Sequence, residues 1–203
     1  MNVRLKFNLS FCAGIWFENS LQMNNYIVDL YLLTNTNNSD DHNVCIERIK
    51  YFLYREIEST VFIQQNNSVQ IQTLAAAGIK ITTLPEEPVD QIIGLVLYSK
   101  INAMLENRMI VTALNIESEL GDNVQYLHNS QEVENVIPDT GWWKDPGPVH
   151  SDIKHSIGKK KVVKINRINA WKELDLAWAE DSTTDQETNS ATVLFANFIK
   201  DED

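Results

Sequence analysis

Cysteine is nearly absent from this 203-residue chain: Cys12 and Cys45 are the only two. Both sit in apolar segments, with no CxxC pair and no disulfide framework, so they read as small buried hydrophobes. Basic residues are in deficit, 17 Lys and Arg against 28 Asp and Glu, for a formal charge of −11. A negative field of that size repels phosphate backbones and anionic headgroups, which argues against nucleic-acid and membrane partners. No apolar run approaches the ~20 residues that span a bilayer. Residues 1–17 alternate charged and polar side chains with apolar ones, where a targeting segment would be continuously apolar. The cytoplasm is the expected location. Gly-rich phosphate loops, nucleophile elbows and HExxH are also missing, so nucleophilic and metalloprotease chemistry have no sequence support.

What is present suits a packed core: 43% apolar residues and 22% charged, enough for one domain with an appendage. Val3, Leu5, Phe7, Leu9 and Phe11 alternate with polar residues, the period of a half-buried strand; Trp16 and Phe17 extend it. A second strand is expected from Tyr26 to Leu33, paired antiparallel across the short polar connection 18–25. The polar run 34–43 ends at Asn43, read as a helix N-cap. Cys45, Ile49, Phe52, Leu53 and Ile57 then recur at helical spacing, with Glu47, Arg48, Lys50 and Arg55 on the other side. Val69-Gln70-Ile71 and Ile79-Lys80-Ile81 are read as short strands around Ala75–Gly78. Pro85, Pro88 and the acidic Glu86, Glu87 and Asp90 mark the start of a second helix, broadly apolar from Val89 to Leu105. Ile110 to Ile116 reads as a third strand and Val124 to Leu127 as a fourth, across the turn Gly121-Asp122-Asn123. The expected fold is α+β: a four-stranded antiparallel sheet with two helices on one face, in the order ββααββ. It occupies residues 1–129, with 130–203 as a C-terminal extension packed on the domain or on a neighbouring subunit. Within the extension, 162–165 and 192–195 read as strands and 180–190 as an exposed stretch.

This order resembles the tunnelling fold of the 6-pyruvoyl-tetrahydropterin synthase and 6-carboxytetrahydropterin synthase group. Phe11-Cys12-Ala13-Gly14 stands where that group has a Phe-x-Ala-x-His-like strand end. Gln22-Met23-Asn24-Asn25-Tyr26 stands where it has His-Gly-His-x-Tyr, and Pro88-Val89-Asp90-Gln91 loosely matches its Pro-Thr-x-Glu-Asn. The resemblance covers residues 3–128; a ferredoxin-like or other two-layer α+β sandwich is the structural competitor. It implies a homo-oligomer with ligand pockets between subunits and a carboxylate that binds a planar pterin- or purine-like ring. Glu117 matches that carboxylate, with Glu119 as the alternative one register away; the competing role for Glu117 is a solvated strand-end glutamate. The three zinc-holding histidines of the group correspond to Gly14, Gln22 and Asn24. A glycine and two neutral amides are poor zinc donors, so no metal and no cofactor are expected, and the balance leans away from an enzyme.

Other candidates are weaker. His150 and His155 around Asp152 do not form a recognised metal spacing, and Lys159–Lys161 reads as a solvated basic turn. Trp142 and Trp143, beside Pro146-Gly147-Pro148, have three readings: an anchor for the tail, a subunit contact, or a stacking platform. Two alternatives to a divergent ligand-binding oligomer stay open: an acidic protein-interaction or inhibitor module, and a metal-independent enzyme using the same pocket.

Overall fold

The computed structural model describes residues 3–122, 124–129, 136–148 and 167–179. Strand β1 (Arg4–Phe17) turns through Glu18 and Asn19 into β2 (Ser20–Thr34). Both turn residues have left-handed backbones (φ 48° and 61°), the geometry of the tight hairpins that match strand twist, and one that asparagine tolerates. The polar stretch 18–25 is therefore mostly strand, and the two strands pair antiparallel along their whole length, from Arg4↔Leu33 to Phe17↔Ser20. Because paired residues share a face, Leu9, Phe11 and Ala13 point with Tyr26, Val28, Leu30 and Leu32 into the core.

Helix α1 (Ser39–Tyr51) starts five residues earlier than the Asn43 reading: Asn38 is the cap, its side chain accepting from the Asp40 N–H. Asp40 and Asp41 then lie in the first turn, where the helix dipole favours them. The helix runs on into π-helical turns over Phe52–Ile57, closed by the Glu58 N–H on the Leu53 carbonyl. A short strand β3 (Val61–Gln64), helix α2 (Ser68–Ala76) and strand β4 (Ile81–Leu84) follow. Val69-Gln70-Ile71 is thus helical, not a strand. Helix α3 (Asp90–Leu105) ends in left-handed Glu106 and Asn107, and leads to β5 (Met109–Ser118) and β6 (Tyr126–Asn129).

The sheet has six strands in the order β4-β3-β1-β2-β5-β6. The expected antiparallel four are there as β1-β2-β5-β6, but β3 and β4 add a parallel wing beside β1, making the sheet mixed rather than antiparallel. The wing escaped the sequence reading because β3 is four residues of near-continuous burial, which carry no alternation. Gly14 makes the junction: its N–H bonds the Thr60 carbonyl at 2.7 Å, and a Cβ there would lie 3.1 Å from both Leu21 and Val61.

Helices α1 and α3 cover one face, as expected. The main core lies between them and the inward residues of β1, β2 and β5. Helix α2 covers the opposite face, over β3 and β4 only, enclosing a small second core of Val61, Ile63, Leu74 and Ile81 that includes Trp16 at its margin. The outward face of β1-β2-β5-β6 has no helix over it among the described residues.

Parts of the C-terminal segment complete the core. Trp142 and Trp143 form a short 3₁₀ turn, and helix α4 (Arg167–Glu173) carries Trp171. Trp142, Trp143, Trp171 and Trp178 are all buried. Their indole N–H groups donate to the carbonyls of Thr83, Pro138 and Pro146 and to Glu106 Oε1, respectively. The anchoring role is the one the pair at 142–143 takes. Two cations on the helices are buried with this segment. Lys100, fully buried, donates to the carbonyls of Asp145 (2.6 Å) and Gly147 (2.7 Å). Arg48, expected on the solvent side of α1, is 1% exposed and lies between the rings of Trp178 (3.7 Å) and Trp171 (4.6 Å). The segments expected as strands at 162–165 and 192–195, Lys159–Lys161, the stretch 180–190, His150 and His155 lie outside the described residues. Among the described residues no helix is long and apolar enough to cross a membrane.

Candidate functional site

The pairing register fixes the site. Ile27 on β2 faces Ser10 on β1 and Glu117 on β5, and Asn115 on β5 faces Leu127 on β6. All are on the face turned away from the core, since their neighbours Val28, Leu114, Ile116 and Ser118 point inward. A β-bulge, with Tyr31 opposite Ala113 and Leu32 opposite Val111, leaves Thr112 as the extra residue, its hydroxyl donating to the Tyr31 carbonyl. The bulge keeps the second half of β5 in the phase that sends Glu117 outward.

Glu117 is half-buried on this uncovered face. Gln125 Nε2 donates to its Oε2, and Gln125 Oε1 in turn accepts from Asn115 Nδ2 at 3.2 Å. One carboxylate oxygen is thereby fixed. The face around it is mixed: Met23, Ile27, Tyr31 and Leu127 are exposed there, beside Lys6 and Asn8, which both bond Asp29. Glu119 lies in the 3₁₀ turn just past β5, exposed, and accepts from Asn25 Nδ2 at 2.8 Å. Of the two carboxylates, Glu117 sits on the strand and Glu119 on the turn beyond it.

Gly14 pairs with Met23 on the outward face, and its match to the first zinc position is off by one: Phe-x-Ala-x-His counted from Phe11 puts the histidine at Ile15. Ile15 pairs with Gln22, and Asn24 pairs with Ala13 on the same face. Asn24 is buried and its Oδ1 already accepts the Leu120 N–H. An isoleucine and two neutral amides share a face but do not fit a zinc site in chemistry. No group of three or more His, Cys, Asp or Glu is placed to hold a metal among the described residues.

A polar cluster that sequence reasoning missed lies beneath the 3₁₀ turn at the inner end of β2 and β5. Ser118 Oγ donates to Asp90 Oδ2 at 2.6 Å, and Gly121 comes so close that a Cβ would sit 2.6 Å from the same oxygen. Asn24 Nδ2 and the Tyr26 hydroxyl are buried and meet hydrogen-bond geometry with no other group. Burial, reinforced by Asp90 and opposed by Asn24, pushes the Tyr26 hydroxyl far above the usual phenol range, so it stays neutral. The signal was present in Pro88-Val89-Asp90: the acidic residue that opens α3 reaches under the end of β5. Nothing in this cluster supplies a nucleophile beside a base.

The described residues form a recess elsewhere, at the tip of the β1–β2 hairpin, lined by Trp16, Phe17, Glu18, Asn19, Gln64, Asn67, Glu87 and Pro88. It does not include Glu117.

No family model matches this chain, and no curated protein matches it. Among solved structures it is similar to an uncharacterized protein from Wolinella succinogenes, at 9% identity and a TM-score of 0.49, over 64% of this chain and 99% of that one. It is similar also to 6-pyruvoyl tetrahydropterin synthase from Plasmodium vivax, at 14% identity and a TM-score of 0.41, again over 64% of this chain and 99% of that one. A third similar structure is the Plasmodium falciparum 6-pyruvoyl tetrahydropterin synthase, at 12% identity and 0.41, over 63% of this chain and 96% of that one.

Proposed function

We propose that this protein is a non-catalytic, metal-free oligomer that holds a planar purine- or pterin-like ring at Glu117, where the uncovered sheet faces or edges of two subunits meet. The observation that carries the reading is the position of Glu117: half-buried on a sheet face without a helix, with one oxygen fixed by Gln125 and exposed apolar side chains on the neighbouring strands. A carboxylate so fixed accepts two parallel N–H groups from the edge of an aminopyrimidinone ring, a charge-assisted pairing that selects ring type without a metal. A single chain leaves this carboxylate on an open face, and a second subunit supplies the missing wall.

Association is steered by which edges are free. At β4 the Thr83 carbonyl is taken by Trp142, and along β5 the Val111 N–H is taken by Asn102 Oδ1 at 3.0 Å. Strand β6 pairs only with Ala113–Ile116, and its outer edge meets no strand among the described residues. An uncovered sheet face with exposed apolar side chains is an association surface. The lean against catalysis rests on the side chains at the zinc positions, where Ile15, Gln22 and Asn24 offer no imidazole or thiolate.

The test is calorimetric titration of the full chain with pterin and with guanine. Binding that falls at least about tenfold in Glu117→Gln, the loss of roughly 1.5–3 kcal/mol expected for a hydrogen bond to a charged group, and stays unchanged in Glu119→Gln, supports the reading. Equal binding by Glu117→Gln, or none by the unaltered chain, overturns it.

A further inference from the structure

The recess at the hairpin tip belongs to no part of the site above. Its volume of about 180 Å³ is below the ~300–1,000 Å³ of small-molecule sites, and fits the head of one long side chain. Its lining combines two aromatic rings (Trp16, Phe17), a proline wall (Pro88), two amides (Gln64, Asn67) and two carboxylates (Glu18, Glu87), with no basic residue. Glu18 lies in the left-handed hairpin turn that lines the recess, and Glu86, next to Glu87 in sequence, accepts from Gln64 Nε2 at 3.5 Å. None of these three glutamates is in an ion pair among the described residues.

The surroundings are those of a docking surface. Leu21, which pairs with Trp16 across the hairpin, is 43% exposed; Val69, in the first turn of α2, is 69% exposed; and Val89, next to Pro88, is 41% exposed. Apolar residues adjoining a small polar recess are the arrangement in which one buried anchor is sealed by near-neutral neighbours. Three scattered apolar residues would mean nothing alone; here Leu21 adjoins Trp16 in register, Val89 adjoins Pro88 in sequence, and Val69 follows Asn67 by two residues.

We propose that this recess is a protein-docking site that takes an arginine side chain from a partner segment with apolar residues on either side of it. The guanidinium is the cation that suits it: planar, weakly hydrated, able to stack on Trp16 and to give forked hydrogen bonds to Glu18 and Glu87. A lysine ammonium would forgo both the stacking and the fork. The net charge of −11 steers a basic segment toward this chain generally, and the recess offers it carboxylates beside an aromatic wall.

The probe is a fluorescein-labelled, end-blocked Val-Arg-Val tripeptide titrated against the full chain by anisotropy, beside the same peptide with citrulline, which keeps the shape and loses the charge. The expected result is saturable binding of the arginine peptide and a loss of about tenfold or more with citrulline. The double variant Glu18→Gln/Glu87→Gln should show the same loss, and raising salt from about 0.05 to about 0.3 M should weaken binding in step with screening. Glu47→Gln, a carboxylate paired with Lys50 on α1, removes the same kind of charge elsewhere and should leave binding unchanged. Both recess glutamates are exposed, so the double variant folds, which its thermal transition checks. Equal affinity for the citrulline peptide, an equal loss with Glu47→Gln, no effect of the double variant, or no binding at all overturns the proposal.

Discussion

Replacing Arg48 by alanine should cost this protein more stability than any other single change on α1. The guanidinium is 1% exposed and donates to the carbonyls of Met104 and Leu176, both at 2.9 Å, and to Glu106 Oε1 at 2.8 Å. It also lies against the faces of Trp178 and Trp171. Alanine removes the donor and leaves those carbonyls, one on α3 and one on the C-terminal segment, short of a partner in a dry site. Each stacked ring contributes on the order of 0.5–2 kcal/mol, and a buried carbonyl left without its donor costs about 1–3 kcal/mol, together about 3–5 kcal/mol at the lower ends of these ranges. With a urea slope of about 2 kcal/mol/M, the unfolding midpoint should fall by roughly 1.5–2.5 M. Glu106→Gln is the control: Glu106 is 42% exposed, and such a partner contributes about 0–1 kcal/mol. Limited proteolysis should show the Arg48→Ala chain losing protection first around Trp171 and Trp178. A midpoint shift below about 0.3 M, or a Glu106→Gln effect as large as that of Arg48→Ala, would refute the view that the cation joins the C-terminal segment to the helices.

Other expectations follow from the same packing. In native buffer a thiol reagent should titrate Cys12, which is partly exposed, and spare Cys45, which is fully buried and whose pKa burial pushes up to about 12; both should react in denaturant, and two fast thiols in the native state would contradict the core. Gly94→Ala should lower the thermal midpoint, because the new Cβ would sit 2.7 Å from Ile116 Cγ2 and collide with the His128 ring; overpacking of about 1–3 kcal/mol outweighs the gain of about 1 kcal/mol in helix propensity. Glu56 is half-buried, and desolvation raises its pKa above the usual glutamate value, with Lys80, Tyr51 and Lys100 pulling the other way. A carboxyl that ionises later in the folded state than in the unfolded one favours folding at low pH, and loses that contribution as pH rises from the ordinary glutamate range through the raised value. Urea midpoints measured across that window should therefore decline less with pH in Glu56→Gln than in the parent, and an unchanged slope would contradict the burial.

The three long strands were legible because each hides one face, and alternation from Leu9 to Ala13 or from Leu114 to Ser118 records that directly. The parallel wing was not. Strand β3 is buried on both faces, and α2 mixes alanine and glutamine without a clear stripe, so neither has a period to read. Arg48 was misplaced for a different cause: it looks like a solvent-facing helix position until Trp171 and Trp178 are brought in from beyond residue 140. Long-range satisfaction of a buried cation leaves no local pattern. At the site, the position of Glu117 could be read from the strand end, whereas the grouping of Ile15, Gln22 and Asn24 on one face depended on the hairpin register, because the second strand was expected only from residue 26.

Light scattering on the size-fractionated full chain addresses the shared-site proposal head on. A mass that is an integer multiple of 23.3 kDa, reverting to one chain when Ile27→Lys charges the uncovered face, is the outcome expected. A parent protein that stays at the mass of one chain at every concentration tested would leave Glu117 without its second wall and contradict the proposal.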